Sequence, residues 1–267
     1  MKKEQEVVLI TGASSGIGRA MAERLTAEGF RVYGTSRKPK MGQEGWTMLT
    51  LDVCEEESVQ DAVREVLKDA GRIDVLINNA GYGDAGAVED TSLAEAKRQF
   101  ETNFFGVLRM CRAVLPQMRR QGNGKIINVG SVAGFIAVPF FGMYCASKAA
   151  LAAMSESLRM EVEPFGICVA LLEPGDIKTE GAGNIVTLLD KEESPYQAPL
   201  TKAVAVMAES EKDGIPMHAV TEAVLKMVQS KRMPLRCVVD WRYRLMRIGK
   251  RLLPDAWLES IVMKLHR

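Results

Sequence analysis

Tyr144 and Lys148 are the residues in this sequence whose types and spacing most directly suggest chemistry. They belong to the string Y-C-A-S-K and lie four positions apart, so on a helix both side chains share one face. A phenol has a pKa near ~10, and each unit of lowering by a nearby positive charge corresponds to about 1.4 kcal/mol. The spacing therefore favours a pair that exchanges protons at neutral pH, although a solvated helix face can carry the same spacing.

Two more polar residues lie at positions that favour a functional role. Ser131 follows the predicted strand Lys125–Val129, and the carboxyl ends of parallel strands are where such sheets place ligand-facing residues. Asn103 lies within a helix predicted from the capping box Ser92–Glu95 towards Arg120. Because Asn is a poor helix former, its place there favours a specific role.

The glycine-rich stretch Gly12–Gly18 (GASSGIG) predicts a phosphate site. It joins the apolar strand Glu6–Thr11 to a helix that runs to about Glu28. Glycines let a phosphate approach the backbone, and a helix N-terminus offers free N–H groups and a positive dipole end. A glycine turn without a ligand is the alternative, which the flanking strand and helix disfavour. The candidate cradle residues are Gly12, Ser14, Ser15, Gly16, Ile17 and Gly18.

Arg37 and Lys38 follow the next predicted strand, Arg31–Thr35, about 20 positions after the cradle. At this place an acidic residue binds the ribose 2′-hydroxyl of NAD, whereas an arginine suits the 2′-phosphate of NADP. The two basic residues therefore favour NADP(H) over NAD(H), with a pair of solvated loop cations as the alternative.

Strand and helix patterns alternate along the chain, which predicts an α/β fold: a Rossmann-type doubly wound parallel sheet with helices on both faces. The further predicted strands are Trp46–Leu51, Ile73–Ile77, Lys125–Val129, Ile167–Leu172 and Arg236–Val239. The further predicted helices are Glu55–Ala70, the one through Asn103, one from Tyr144 to about Glu163, and one from about Leu200 to Glu211.

Polar residues close two of these strands, and each has two interpretations. Asp52 either faces the ligand crevice or caps the helix that opens at Glu55. Asn78 and Asn79 either satisfy backbone groups in their turn or contact a ribose. The spacing does not separate these alternatives.

Composition narrows the class of protein. The chain has 267 residues, 47% hydrophobic and 26% charged, with a net charge of +1, which gives no reason to expect nucleic-acid binding. The five cysteines are scattered without metal-ligand spacing, so reduced thiols in a cytoplasmic setting and no metal site are expected. The apolar run Val7–Ile10 is too short for a signal peptide, and no stretch reaches the ~20 apolar residues of a membrane span.

The motifs, taken together, resemble the short-chain dehydrogenase/reductase family over about residues 6–180. In the family's order they are TGASSGIG, NNAG, Asn103, Ser131, YCASK and the Pro174-Gly175 pair with Thr179. The resemblance implies that Tyr144 is the general acid/base and that Lys148 lowers its pKa and binds the nicotinamide ribose. It implies that Ser131 holds the substrate carbonyl and that Asn103 orients a proton-relaying water.

The resemblance also implies further contacts with the cofactor, and a homo-dimer or homo-tetramer built on the long helices. Asn79 would contact the cofactor, and Thr179 would bind the nicotinamide carboxamide. The other implied cofactor-binding residues are Asp52, Val53, Ala80, Gly81, Tyr144, Lys148, Pro174, Gly175 and Ile177.

Residues 176–216 are predicted to form a small helical substrate lobe within one catalytic domain that spans residues 1–267. Gly181 and Gly183 are either hinges of a lid or turn residues. The apolar residues of this lobe favour an apolar substrate: Ile185, Val186, Leu188, Leu189, Tyr196, Val204 and Met207.

Residues 241–267 predict a helical C-terminal extension. Trp241, Leu245, Ile248 and Leu252 form one narrow apolar stripe among basic residues, Pro254 ends the first helix, and a second follows over Ala256–His266. A basic amphipathic hairpin on an anionic membrane is one interpretation. Packing against the substrate lobe or a partner subunit is favoured, because the stripe is narrow and each helix is short. The extension and the Ser194–Tyr196 segment loosely resemble hydroxysteroid- and retinol-dehydrogenase-like members.

The expected function is therefore an NADP(H)-dependent oxidoreductase that interconverts a ketone and a secondary alcohol on an apolar, steroid-, retinoid- or lipid-like substrate. A 3-oxoacyl reductase or a general carbonyl reductase of the same fold is the first alternative. A dinucleotide-sensing protein without turnover is the second, which the complete set of Asn103, Ser131, Tyr144 and Lys148 disfavours.

Overall fold

A parallel sheet lies at the centre of this computed structural model, which describes residues 5–39, 45–178, 185–187 and 193–265. In chain order, the strands are β1 (Val7–Ile10), β2 (Arg31–Ser36), β3 (Thr47–Thr50), β4 (Val75–Asn78), β5 (Gly83–Ala85), β6 (Gly124–Val129), β7 (Ile167–Glu173), β8 (Ile177–Lys178), β9 (Ile185–Thr187), β10 (Ile215–Pro216) and β11 (Arg236–Val238). Seven of the described strands form the sheet in the order β11-β7-β6-β4-β1-β2-β3. Two short pairs lie outside it, β5 with β9 and β8 with β10.

Helices cover both faces of the sheet. In chain order, they are α1 (Gly16–Ala27), α2 (Glu56–Ala70), α3 (Leu93–Phe100), α4 (Gly106–Gln121), α5 (Gly142–Val162), α6 (Gln197–Lys212), α7 (Met217–Gln229), α8 (Trp241–Leu252) and α9 (Asp255–Leu265). Helices α2, α4 and α5 pack on one face, and α1 and α7 pack on the other. Among the described residues, no helix combines the length and apolarity needed to cross a bilayer.

The strand β1 shows why its sequence forms a central strand. Val7 and Leu9 join the core on one face, whereas Val8 and Ile10 join the core on the other. Successive side chains of a strand point to opposite faces, so a continuous apolar run is buried on both sides. Each such side chain contributes about 1.5–3 kcal/mol when fully buried.

The strand order reverses between β1 and β4, and this reversal creates the crevice for the site. From β1 the chain moves outward to β2 and β3, and it then returns to build β4, β6 and β7 on the other side. In such sheets ligands bind outside the carboxyl ends of the strands at this point. The sequence prediction of a doubly wound parallel sheet is confirmed.

The predicted long helix through Asn103 and its capping box at Ser92 are confirmed. The helix consists of α3, a π-helical turn over Glu101–Phe105, and α4, without a break. Neither α7 nor the two short strand pairs is among the sequence predictions. Helix α7 had a readable signal, since Val220, Val224 and Val228 recur every four residues and are buried. The strand pairs join segments far apart in the chain, which no local pattern predicts.

Candidate active site

The glycine turn after β1 has the geometry of a phosphate cradle. Gly12 and Gly16 have φ values of 66° and 53°, in the left-handed region that favours glycine. A Cβ on Gly12 would lie 2.9 Å from the Ala80 Cα, and one on Gly18 would lie 2.2 Å from the Gly12 carbonyl oxygen. Ser15 stands at the N-cap of α1 but makes no side-chain capping hydrogen bond, which leaves the first N–H groups for a ligand. The turn therefore fits the pyrophosphate of a dinucleotide.

Thr11 and Asn79 tie the cradle to the end of β4. The Thr11 Oγ1 atom accepts hydrogen bonds from the backbone N–H groups of Asn79 (2.9 Å) and Ala80 (3.0 Å). The Asn79 Nδ2 atom donates to the carbonyl oxygens of Thr11 and Gly12, both at 3.0 Å. Of the two interpretations of Asn79, the structure shows the first, satisfaction of backbone groups. Its contact with the cofactor stays a prediction.

Asn78 lies beside Asn79 but serves the interior of the sheet. It is buried, and its Nδ2 atom donates to the Asn128 Oδ1 atom at 2.9 Å. Asn128 in turn donates to the Ser155 Oγ atom on α5, also at 2.9 Å. Asn78 therefore links strands β4 and β6 to the helix that carries Tyr144.

The residues predicted to distinguish the cofactors lie at the ends of β2 and β3. Arg37 and Lys38 directly follow β2 and are exposed. Val53 is buried, and the Asp52 Oδ1 atom accepts a hydrogen bond from the Cys54 backbone N–H at 3.0 Å. The prediction of Asp52 as a helix cap is wrong, because Glu55 occupies the N-cap of α2 and Asp52 closes the turn before it.

Tyr144 and Ser131 meet where α5 approaches the carboxyl end of β6. The Ser131 hydroxyl lies beside the Tyr144 phenol, and the Ser131 Oγ atom accepts a hydrogen bond from the Ala133 backbone N–H at 3.1 Å. Burial raises the pKa of Tyr144, and the neighbouring Ser131 hydroxyl acts in the opposite direction. Burial therefore favours the protonated phenol. A lowering of this pKa by Lys148 stays a prediction.

Lys148 is buried, with 6% of its surface exposed. Its Nζ atom donates to the Val129 carbonyl oxygen at 2.9 Å and lies 5.8 Å from the centroid of the Tyr144 ring. Burial lowers the pKa of Lys148 to about 8. An ammonium group has three N–H donors, so the hydrogen bond to Val129 engages only one of them.

Asn103 is buried in the π-helical turn between α3 and α4. Its Oδ1 atom accepts from the Tyr82 backbone N–H at 3.1 Å, and its Nδ2 atom donates to the Tyr82 carbonyl (2.8 Å) and the Ser147 Oγ atom (3.1 Å). The side-chain amide is thus engaged on both sides. The insertion of the wider turn into the helix explains why a poor helix former stands there.

Several residues that hold this arrangement are absent from the sequence predictions. A Cβ on Gly81 would lie 2.9 Å from the Asn103 Oδ1 atom, and one on Gly83 would lie 3.2 Å from the Tyr144 ring. Ser147 accepts from Asn103 and donates to the Tyr144 carbonyl at 2.8 Å. The G-Y-G string after N-N-A was a readable sign of close backbone approach, although Gly81 was predicted only for the cofactor.

An apolar cluster packs around Tyr144 and includes residues of α6. Its members are Ala85, Ala133, Val138, Phe140, Phe141, Tyr144, Cys145, Leu200, Val204 and Met207. A cleft of about 550 Å³ shares Phe140 with this cluster, and its lining residues are Ala87, Val88, Glu89, Pro139, Phe140 and Tyr196. The neighbourhood of the Tyr144 side chain is therefore mainly apolar.

Phe140 and the Ser194–Tyr196 segment shape this cleft. Phe140 has a φ of 66°, which is strained for a bulky residue, and its ring meets the Tyr196 ring edge-on with centroids 6.5 Å apart. The Tyr196 hydroxyl donates to Glu89 at 2.7 Å, and the Ser194 hydroxyl donates to Asp90 at 2.5 Å. These contacts fix the Ser194–Tyr196 segment of the predicted substrate lobe against the loop after β5.

The turn after β7 brings Pro174, Gly175 and Ile177 to the same edge of the sheet. The Pro174 carbonyl accepts from the Val132 backbone N–H at 3.1 Å, which ties this turn to the loop after Ser131. Ile177 is buried and belongs to β8. Other predicted residues of the lobe lie outside the described residues: Thr179, Gly181, Gly183, Leu188 and Leu189. For Ile185 and Val186 the structure describes only the backbone.

Helix α8 packs directly on this turn. The Tyr243 ring lies against Gly175, where a Cβ would come within 2.3 Å of it, and the Tyr243 hydroxyl donates to the Asp176 carboxylate at 2.7 Å. Arg247 donates to the fully buried Glu173 carboxylate at 2.8 Å. Burial raises the pKa of Glu173, against the attraction of Arg236 and Arg247.

The C-terminal extension therefore packs on the fold, the interpretation favoured over membrane binding. It packs through the face of α8 that lies opposite the apolar stripe. The packed face of α8 holds Tyr243 and Arg247, whereas the apolar stripe from Trp241 to Leu252 is exposed. Helix α9 matches the predicted second helix, although His266 and the side chains of Leu258 and Ile261 lie outside the description.

The family model described as short chain dehydrogenase matches residues 6–188. The chain belongs to this family of oxidoreductases, and the resemblance stated from its motifs is confirmed.

Relatives of named activity match nearly the whole chain. A 3-ketodihydrosphingosine reductase of Bacteroides thetaiotaomicron is 40% identical over 258 residues, 96% of each chain. Bovine (Bos taurus) retinol dehydrogenase 8 is 35% identical over 91% of this chain and 84% of its own. A short-chain dehydrogenase structure from Streptomyces avermitilis superposes with a TM-score of 0.85, at 34% identity and 97% coverage of both chains. Solved structures of the same fold hold NADP in some cases and NAD in others.

Proposed function

We propose that this protein interconverts a ketone and a secondary alcohol on a lipid-like substrate by hydride transfer with NADP(H). The observation that carries the proposal is the position of Tyr144, which lies beside the Ser131 hydroxyl and packs in the apolar cluster with Phe140, Val204 and Met207. A proton donor thus faces an apolar environment. The similarity to a reductase that acts on 3-ketodihydrosphingosine, a long-chain ketone, supports the same substrate class.

The chain's own residues supply the proton and hold the substrate oxygen. Ser131 and Tyr144 donate hydrogen bonds to the carbonyl oxygen, where negative charge develops, and Tyr144 then transfers its proton to that oxygen. The bound nicotinamide supplies or accepts the hydride. In the reverse direction Tyr144 accepts the proton of the alcohol.

Lys148 and Asn103 support this transfer in different ways. The Lys148 ammonium has one N–H held by the Val129 carbonyl, and its other donors would be available to the ribose of the cofactor and to proton exchange with solvent. The Asn103 side-chain amide is occupied by Tyr82 and Ser147, and its part in orienting a proton-relaying water stays a proposal. Its side chain positions the loop that packs against Tyr144.

A panel of substrates tests the substrate class. NADPH oxidation is followed with long-chain keto lipids, retinal and steroid ketones, and separately with small sugars and keto acids. We expect turnover with the apolar group, and Tyr144→Phe lowers it by about 10²–10⁴-fold, the usual contribution of a positioned acid. Tyr33→Phe, which removes a phenol bonded to Asp69 away from the site, is the matched control and keeps its activity.

Each rival has its own outcome in this panel. Preference for acyl-carrier thioesters indicates a 3-oxoacyl reductase, and comparable turnover of many small carbonyls indicates a general carbonyl reductase. Cofactor binding without turnover of any substrate indicates a dinucleotide sensor. Any of these results would replace the lipid-like substrate.

The cofactor preference is tested at Arg37. This exposed arginine follows β2, and we propose that it binds the 2′-phosphate of NADP together with Lys38. Arg37→Asp should lower kcat/KM for NADPH by about 10–100-fold, since a charge-assisted hydrogen bond contributes about 1.5–3 kcal/mol. Arg120→Asp, an exposed arginine at the end of α4, is the control. An unchanged NADPH to NADH ratio in Arg37→Asp would refute this role.

The same proposal includes a cytoplasmic setting and a homo-dimer or homo-tetramer. All five cysteines are free thiols, which fits a reducing compartment. Light scattering of the purified protein gives the oligomeric state, and a monomer would contradict it.

A further inference from the structure

Helix α8 exposes an apolar row that the fold leaves uncovered. Trp241 is 67% exposed, Leu245 58%, Ile248 56% and Leu252 77%. These positions recur every three or four residues, so they form one continuous strip along the helix. Trp257 in α9 adds a second exposed tryptophan, at 63%. Most large apolar side chains of the described residues are buried, so a continuous exposed apolar strip indicates a binding surface.

The charged residues of α8 itself are all basic, and the first of them, Arg242, is paired with Asp240 just before the helix. From Trp241 to Pro254 the sequence holds Arg242, Arg244, Arg247, Lys250 and Arg251 and no acidic residue. Arg244 and Arg251 are exposed beside the strip, whereas Arg247 and Lys250 lie on the inner side, where they bond Glu173 and the Phe135 carbonyl. An apolar strip flanked by exposed cations complements a surface that is apolar inside and anionic outside.

We propose that α8, with Trp257 of α9, is a surface that binds an anionic membrane. Apolar side chains enter the boundary of headgroups and acyl chains, tryptophans prefer that depth, and the cations face anionic headgroups. A second copy of this chain is disfavoured on the same face, because a twofold contact of α8 with α8 would oppose two sets of cations. This inference does not depend on the proposed substrate.

The contacts of α8 place this surface beside the candidate active site. Tyr243 lies on Gly175 in the turn after β7, and the Lys250 ammonium donates to the Phe135 carbonyl in the loop after Ser131. Arg247 also lies over the Phe135 ring, 5.8 Å from its centroid. A membrane bound at the exposed strip would therefore be separated by one helix diameter, about 10 Å, from the edge of the sheet where Ser131 and Pro174 lie.

Vesicle binding of the full-length protein tests the proposal. The probes are vesicles of phosphatidylcholine with about a third phosphatidylserine, and vesicles of phosphatidylcholine alone. We expect the wild type to co-sediment with the anionic vesicles and to be released by high salt. Its fluorescence should shift to the blue, since Trp241 and Trp257 are exposed whereas Trp46 is buried.

Two double variants decide whether α8 carries the binding. Leu245→Ser with Ile248→Ser should lower the partition into anionic vesicles by about tenfold or more, because two exposed apolar groups no longer enter the lipid. Leu93→Ser with Met160→Ser, which also replaces two exposed apolar residues on other helices, should leave it unchanged. The unfolding midpoint of each variant checks that both stay folded.

Three outcomes would overturn the proposal. If the fraction of wild type that sediments is the same with anionic and with neutral vesicles, an anionic-membrane surface is rejected. Undiminished binding by the Leu245 and Ile248 variant would reject α8 as the site. If the wild type binds no vesicles, and its oligomer dissociates in the Leu245→Ser, Ile248→Ser variant, the strip contacts a second copy of the chain instead.

Discussion

Folded proteins usually bury apolar side chains and expose polar ones, and helices α5 and α8 depart from this rule in opposite ways. Helix α5 buries polar side chains, since Ser147, Lys148 and Ser155 are at most 6% exposed. Helix α8 exposes its apolar side chains and places Tyr243 and Arg247 against the fold. Both helices lie at the carboxyl edge of the sheet, one carrying Tyr144 and the other packing on the turn after β7.

The difference shows what each departure from the rule indicates. The buried polar groups of α5 have partners within the protein: Ser147 bonds Asn103, Lys148 bonds the Val129 carbonyl, and Ser155 bonds Asn128. Since burying a polar group without a partner is costly, these positions indicate chemistry or its support. The exposed apolar row of α8 has no such partner among the described residues, so it indicates an occupant outside the fold.

Loss of the buried cation of α5 should have the largest effect. Lys148→Met should reduce kcat by about 10²–10⁴-fold, because the ammonium supports proton transfer through Tyr144. Steady-state NADPH oxidation measures this, and Lys226→Met, an exposed lysine on α7, is the matched control. If Lys148→Met keeps its activity within a few-fold of wild type, the buried lysine of α5 does not support catalysis.

The same lysine should give α5 a pH signature in stability. Burial lowers the pKa of Lys148 to about 8, while an unfolded lysine titrates near ~10.4. Between these values the unfolded chain binds more protons, so this group raises the free energy of unfolding as pH increases from about 8 to about 10. The full effect is on the order of 3 kcal/mol. Urea unfolding across this range should show the rise in wild type, and its persistence in Lys148→Met would contradict the assignment.

Loss of an inward arginine should detach α8. Arg247→Met leaves one oxygen of the buried Glu173 without its partner, which should lower the free energy of unfolding by about 1–3 kcal/mol. The removal of Arg247 should raise the pKa of Glu173 further, so the loss relative to wild type should grow as pH rises above the already raised pKa of Glu173 in the folded wild type. Denaturant unfolding at acidic and neutral pH measures this.

The exposed Arg251 of the same helix provides the control for that variant. Arg251→Met should leave the free energy of unfolding nearly unchanged, since surface substitutions usually stay within about 0.5 kcal/mol. Equal losses in both variants would mean that the inner face of α8 does not hold it.

Removal of a single hydroxyl on α8 should have the smallest effect. Tyr243→Phe keeps the ring on Gly175 but loses the hydrogen bond to Asp176, which should cost about 1 kcal/mol. For a chain of this size the thermal midpoint should fall by about 2–4 °C. A drop as large as that of Arg247→Met would show that the hydroxyl, rather than the ion pair, anchors the helix.

Much of the fold and the site was predictable because the signals are local. The apolar strand before Gly12 and the helix after Gly18 predict the cradle, whose left-handed turns at Gly12 and Gly16 only glycine adopts readily. The Asn103 position marked a departure from helix preference, and the structure has a π-helical turn there. The family of the chain followed from the order of these motifs.

Other features depended on partners distant in the chain. The predicted roles of Asp52 and Asn79 were ambiguous because a turn and a ligand can satisfy the same groups. The contacts with Cys54, Thr11 and Gly12, which only the folded structure shows, establish the role in the turns, while the cofactor contacts stay predictions. The contact of Gly83 with Tyr144 likewise needs both segments in place.

The helical stripe of α8 could be read from spacing, since side chains three or four positions apart share a face in any helix. Which face turned inward was decided by the tertiary structure. Glu173, Gly175 and Asp176 offer an anionic, closely fitting surface to Arg247 and Tyr243, some 70 positions later in the chain. The attraction of a buried carboxylate for a guanidinium competes with the hydrophobic effect. The periodicity of one helix carries no information about such a carboxylate elsewhere in the chain.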